Sequence, residues 1–77
     1  SFSVFPNPTI GPVTLKISGD LKTQPENIMV LDATGKLVVN QTFSESINLG
    51  NLAPGTYLIQ ISTKGSIFQS NPIVLIK

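Results

Sequence analysis

Apolar residues recur at every second position along this chain, and the breaks between runs carry Gly, Pro, Asn and Ser. That is the pattern of half-buried strands, not of helices. SFSVF stops at Pro6-Asn7-Pro8, where two prolines fix φ and remove two donors, so a first strand ends or crosses over there. PVTLKIS then alternates, with Val13, Leu15 and Ile17 inward and Thr14, Lys16 and Ser18 toward water. GDLKTQPE is polar and predicts a loop with room for a short edge strand. ENIMVLD puts Ile28 and Val30 on one face and Met29 and Leu31 on the other. Two apolar faces suit a strand covered on both sides, or one that adjoins a docking surface.

DATGK, residues 32–36, predicts a hairpin turn: Asp32 can bond its own backbone two residues on, and Gly35 can supply φ > 0. KLVVNQTF follows, then SINLG, then GTYLIQIST after the Pro54-Gly55 turn, then SIFQSNPIVLIK after Lys64-Gly65. Proline within a strand is confined to edges and bulges. The last run is therefore expected to divide at Pro72, with Ile73 to Lys77 entering a new pairing. About seven short strands with regular turn signals predict an all-β fold, a small antiparallel immunoglobulin-like β-sandwich. Phe5, Phe43 and Tyr57 are assigned to its core.

Composition narrows the function more than the fold. The chain has 77 residues, enough for one domain, which at this size buries only ~60% of what its unfolded form exposes. It begins with Ser1 and shows no charged-then-apolar leader. The expectation is a single C-terminal domain, residues 1–77, excised from a longer secreted precursor. Cysteine and histidine are absent, so the usual metal-site spacings and the Ser-His and Cys-His nucleophile devices cannot be built. No cofactor is expected. Five lysines against four carboxylates leave a net charge of +1. With no arginine and no basic run, nucleic acid is not an expected partner. Nor is membrane insertion, since the apolar run PIVLIK is strand-sized and far short of the ~20 residues of a spanning helix.

The carboxylates Asp20, Glu26, Asp32 and Glu45 are scattered through turns and loop edges. Lys64 beside Ser62 and Ser66 is the sort of pair that exposed turns produce by chance. Asn40-Gln41-Thr42 matches a glycosylation acceptor, but it sits in a predicted strand, and short matches of this kind arise often. A glycan-binding face needs a row of exposed aromatics, and the chain has only five aromatic residues. The chain is thus expected not to be an enzyme, and protein–protein recognition is the class left open.

Four segments taken together resemble the type A C-terminal sorting domain of the type IX secretion system, found on secreted proteins of the Bacteroidetes. They are VFPNPTIGPVTLKI, IMVLDATGKLVV, INLGNLAPGTYLIQI and the closing apolar run to Lys77. The resemblance implies a non-catalytic export signal that directs its covalently linked N-terminal cargo domain through periplasm and outer membrane to the cell surface or medium. Its implied partners are the type IX translocon, an outer-membrane shuttle protein and a surface sortase that removes the domain. Carried over by motif, the recognition residues are Pro6, Asn7 and Pro8; Asp32, Gly35 and Lys36; Leu52, Gly55 and Tyr57; and Ile73, Val74, Leu75, Ile76 and Lys77. Gly35 and Gly55 read as turn residues with unusual φ, and Tyr57 as a core residue with its hydroxyl at the rim. Lys36 and Lys77 contribute little to a core and are the better recognition residues. Family members commonly carry a second lysine before the end, where this chain has Asn71-Pro72. The terminal strand is expected to add to a partner's sheet edge. The alternative is an accessory immunoglobulin-like module that binds polysaccharide or spaces a catalytic domain.

Overall fold

The computed structural model describes residues 2–17 and 24–77. Eight strands lie among them: β1 (Phe2–Phe5), β2 (Pro12–Ile17), β3 (Pro25–Asp32), β4 (Leu37–Thr42), β5 (Ser46–Asn48), β6 (Gly55–Thr63), β7 (Ser66–Gln69) and β8 (Ile73–Leu75). They form two antiparallel sheets, one ordered β1-β2-β5 and the other β4-β3-β6-β7, with β8 also on β6. This is the all-β, two-sheet arrangement expected of an immunoglobulin-like sandwich. Most of GDLKTQPE lies outside the described residues, and its last two residues, Pro25 and Glu26, open β3.

The alternation read from the sequence sets which side chains meet between the sheets. Val13 and Leu15 from β2 and Ile47 from β5 face Ile28 and Val30 from β3. Tyr57, Ile59 and Ile61 from β6 and Ile73 and Leu75 from β8 complete the buried cluster with Leu49. Each fully buried side chain of this size contributes about 1.5–3 kcal/mol. A bulge makes Val38 the extra residue opposite the Val30–Leu31 step, and Val38 and Val39 both pack against the core.

Two expectations change. Phe5 is 45% exposed. It pairs with Thr14, so parity sends Phe2 and Val4 inward and Phe5 out. Phe43 and Tyr57 do pack as expected, the first partly buried against the core and the second within it. Met29 and Leu31 lie on the outer face of β3, half-buried, where Leu31 stands in register with Leu37 on one side and Leu58 on the other.

The second change concerns the last run, which divides as expected but does not leave its partner. β7 pairs with Gln60–Thr63 and β8 with Gly55–Tyr57, so both lie along one edge of β6. Pro72 has no N–H to continue the ladder. Ser70 bridges the gap: its N–H donates to the Ile59 carbonyl (2.8 Å), and its Oγ accepts the Ile59 N–H (3.1 Å). The ladder is thus bent around Asn71-Pro72 rather than broken.

β8 is therefore part of the core although only three residues long. Leu75→Ala is expected to lower unfolding free energy by roughly 2–5 kcal/mol. Val74→Ala, one residue away on the outer face, is expected to change it by about 0.5 kcal/mol or less. Urea unfolding of the two variants measures both.

Candidate functional site

The DATGK turn is built around one carboxylate. Asp32 Oδ1 accepts the Thr34 N–H at 2.9 Å, the Thr34 hydroxyl at 2.6 Å and the Lys36 N–H at 3.0 Å. The backbone closes the same turn, Gly35 N–H donating to the Asp32 carbonyl and Asp32 N–H to the Lys36 carbonyl, both at 2.9 Å. Gly35 has φ 88°, the left-handed region in which a Cβ meets its own backbone. The hydrogen bond from the Thr34 hydroxyl, then that from the Lys36 N–H, holds the Asp32 carboxyl below its usual pKa, against a smaller opposing effect of partial burial.

At the neighbouring turn Gly55 opens β6 with φ 158°, so the expectation of unusual φ holds for Gly55 as it does for Gly35. Tyr57 is buried in the core, and its hydroxyl donates to the Ala53 carbonyl across the Pro54-Gly55 turn. Leu52 packs half-buried against the core and donates its N–H to the Leu49 carbonyl. These positions keep the turn's shape.

The PNP segment faces β8. Both peptide bonds preceding its prolines are cis. The Asn7 side-chain amide mimics a strand backbone: Nδ2 donates to the Pro72 carbonyl at 3.0 Å, and Oδ1 accepts the Val74 N–H at 2.9 Å. Thr9 continues the pairing, its N–H donating to the Val74 carbonyl and its carbonyl accepting the Ile76 N–H, both at 2.8 Å. The Thr9 side chain is buried, with Oγ1 donating to the Pro12 carbonyl (2.8 Å) and accepting the Gly11 N–H (3.0 Å). One edge of β8 is thus paired to β6 and the other to Asn7 and Thr9. The free edge expected for strand addition to a partner is already taken, because the domain's own N-terminal segment occupies it.

Segments far apart in the chain therefore meet at one end of the five-stranded sheet. Asp32 stands opposite Tyr57, Tyr57 opposite Ile73, and Gly55 opposite Leu75, while Leu75 bridges to Thr9. Ala33, Thr34 and Gly35 of the turn face Thr56, Leu58 and Pro72 across an open groove of about 450 Å³. Lys36 is exposed beside the turn, and Lys77 at the end of the β8 run. Thr9 and Ser70, which carry the joints of this assembly, were not anticipated. The one signal for Thr9 was a lone polar residue between Pro8 and Ile10.

The sequence profile of the secretion system C-terminal sorting domain matches residues 3–75. The chain belongs to that family. As a sorting domain of the type IX secretion system, it is attached to a secreted or cell-surface cargo and interacts with the secretion machinery. The matched span includes the PNP segment, both turns and β8, and stops before Ile76 and Lys77. No curated protein and no solved structure matches the chain.

Two outcomes test the sorting domain's turns. The Asp32 pKa is depressed, so its stabilisation is present above the unfolded value of about 3.9 and is lost as pH falls through the lower folded value. Below pH ~4 the Thr34 and Lys36 amide resonances should shift together, and Asp32→Ala should remove that step. Gly35→Ala should cost about 1 kcal/mol of stability through backbone conformation alone, since nothing lies within 4 Å of the added Cβ. Gly55→Ala should also cost stability, because side chains rarely adopt its φ of 158°, and thermal melts compare the two.

Proposed function

We propose that this domain is a non-catalytic address, read in its folded form, that directs its cargo across the outer membrane through the type IX machinery. On this reading Pro6, Asn7 and Pro8 act with Ile73 to Lys77 as one composite site, with the Asp32–Lys36 turn and the Gly55–Tyr57 turn beside it. The translocon and an outer-membrane shuttle protein bind the site. A surface sortase then removes the domain, leaving the cargo secreted or at the cell surface. The observation that carries the reading is the Asn7 clamp. One exposed amide joins the family's N-terminal and C-terminal segments through two hydrogen bonds to β8.

A linear tail signal and a folded one differ in what Asn7 does. If the last residues are read as a free peptide, Asn7 is dispensable. If the assembled seam is read, losing Asn7 harms export while the terminal residues remain intact. Asn7→Ala is expected to cost about 1 kcal/mol, to speed hydrogen exchange at Val74, and to reduce export of a signal-peptide reporter fused to residues 1–77. Unchanged export with a loosened Val74 amide would sink the composite site. Deleting Ile73 to Lys77 should abolish export in the same assay.

A further inference from the structure

β2 has the pattern of a strand with one wet face: Val13 and Leu15 are buried, and Thr14 and Lys16 point outward. The seam between Pro8–Gly11 and β8 breaks that pattern. Thr9 and Leu75 bridge one another and are both buried, as is Ile73. Their neighbours, Pro8 and Ile10 on one segment and Val74 and Ile76 on the other, are exposed instead. All four are apolar. Ile10 is 74% exposed, Ile76 46% and Val74 40%, and Pro8 is exposed beside them. The bond from the Ile76 N–H to the Thr9 carbonyl sets Ile10 and Ile76 next to each other on the ladder. None of these side chains belongs to the buried core. Single apolar residues on a surface need no explanation, but a contiguous strip marks a contact site.

We propose that this strip docks the domain onto a protein component of the export machinery, through an apolar face edged by a carboxylate that meets Lys77. The proposal rests on the export reading given above and names the surface and the partner's chemistry. The strip's size argues against a stable complex, a stable dimer of this chain included. Its side chains expose on the order of a few hundred Å², well short of the ~800 Å² that each partner buries in a stable complex. That larger figure would take about a sixth of the domain's 4797 Å² surface. A small contact is a transient one, which suits an address that is released after use. Lys77 places a cation at the end of the same run, and charge at the rim of an apolar patch governs encounter and selectivity more than affinity.

The test fuses the full chain to a reporter carrying a signal peptide, in a type IX-competent bacterium and in the same strain lacking the translocon. The variants are Ile10→Ser combined with Ile76→Ser, Ile10→Thr alone, and Lys77→Glu. The double variant should melt within about 4 °C of the unsubstituted domain, with release into the medium about tenfold lower and the reporter held in the periplasm. Lys77→Glu should lower release by a smaller factor. If the unsubstituted fusion stays in the periplasm, or leaves equally well without the translocon, the export reading itself fails. If the double variant folds and is exported in full, the strip is not the docking surface and the export reading stands. Should the double variant unfold, Ile10→Thr decides, since Ile10 is more exposed than Val74 or Ile76: full export overturns the strip and loss of export supports it. A dimer of the fusion by sedimentation that Ile10→Thr dissociates, with export unchanged, would assign the strip to a second copy instead.

Discussion

β6 is the strand on which the rest of the domain depends. It is the longest strand described, from Gly55 to Thr63, and it is hydrogen-bonded along both edges. β3 runs beside one edge, and β7 and β8 share the other. Its inward residues Tyr57, Ile59, Ile61 and Thr63 are all buried. A domain of this size has few apolar side chains with which to offset chain entropy. A central strand therefore has to keep every inward position apolar or hydrogen-bonded, and β6 does.

Sharing one edge between two strands creates a joint, and the joint explains much of the remaining structure. Pro72 cannot take part in the ladder, so Ser70 supplies a hydroxyl where a backbone group would stand. On the far side of β8, Asn7 supplies an amide for the same purpose. In both places a side chain completes a backbone ladder that proline interrupts. Buried side-chain nitrogen and oxygen atoms among the described residues all have partners, as a thin core requires.

Strand positions were legible in the sequence because period-two alternation is a local property. It placed Val13 and Leu15, Ile28 and Val30, and Ile59 and Ile61 on the inward face, and the DATGK turn followed from side-chain chemistry within five residues. The error at Phe5 came from ranking size above parity, since an aromatic ring one position out of phase faces water. The partner of the terminal strand was not legible. It depends on Ser70 bending the ladder and on Asn7 reaching across the fold, and neither leaves a periodic trace. The resemblance supplied the motif residues but not their meeting place. Register between β3, β6 and β8 brings Asp32, Tyr57 and Ile73 into one row.

The Asn7 contacts with Pro72 and Val74 join positions more than sixty residues apart. Closing so long a loop is among the later and costlier events in forming a small β domain. The seam consequently exists only in a chain that includes β8 and has brought its two ends together. A nascent, truncated or misfolded chain carries every motif up to its break and yet lacks the seam. On the proposed reading, a signal built from the two ends of one fold reports completion as well as destination.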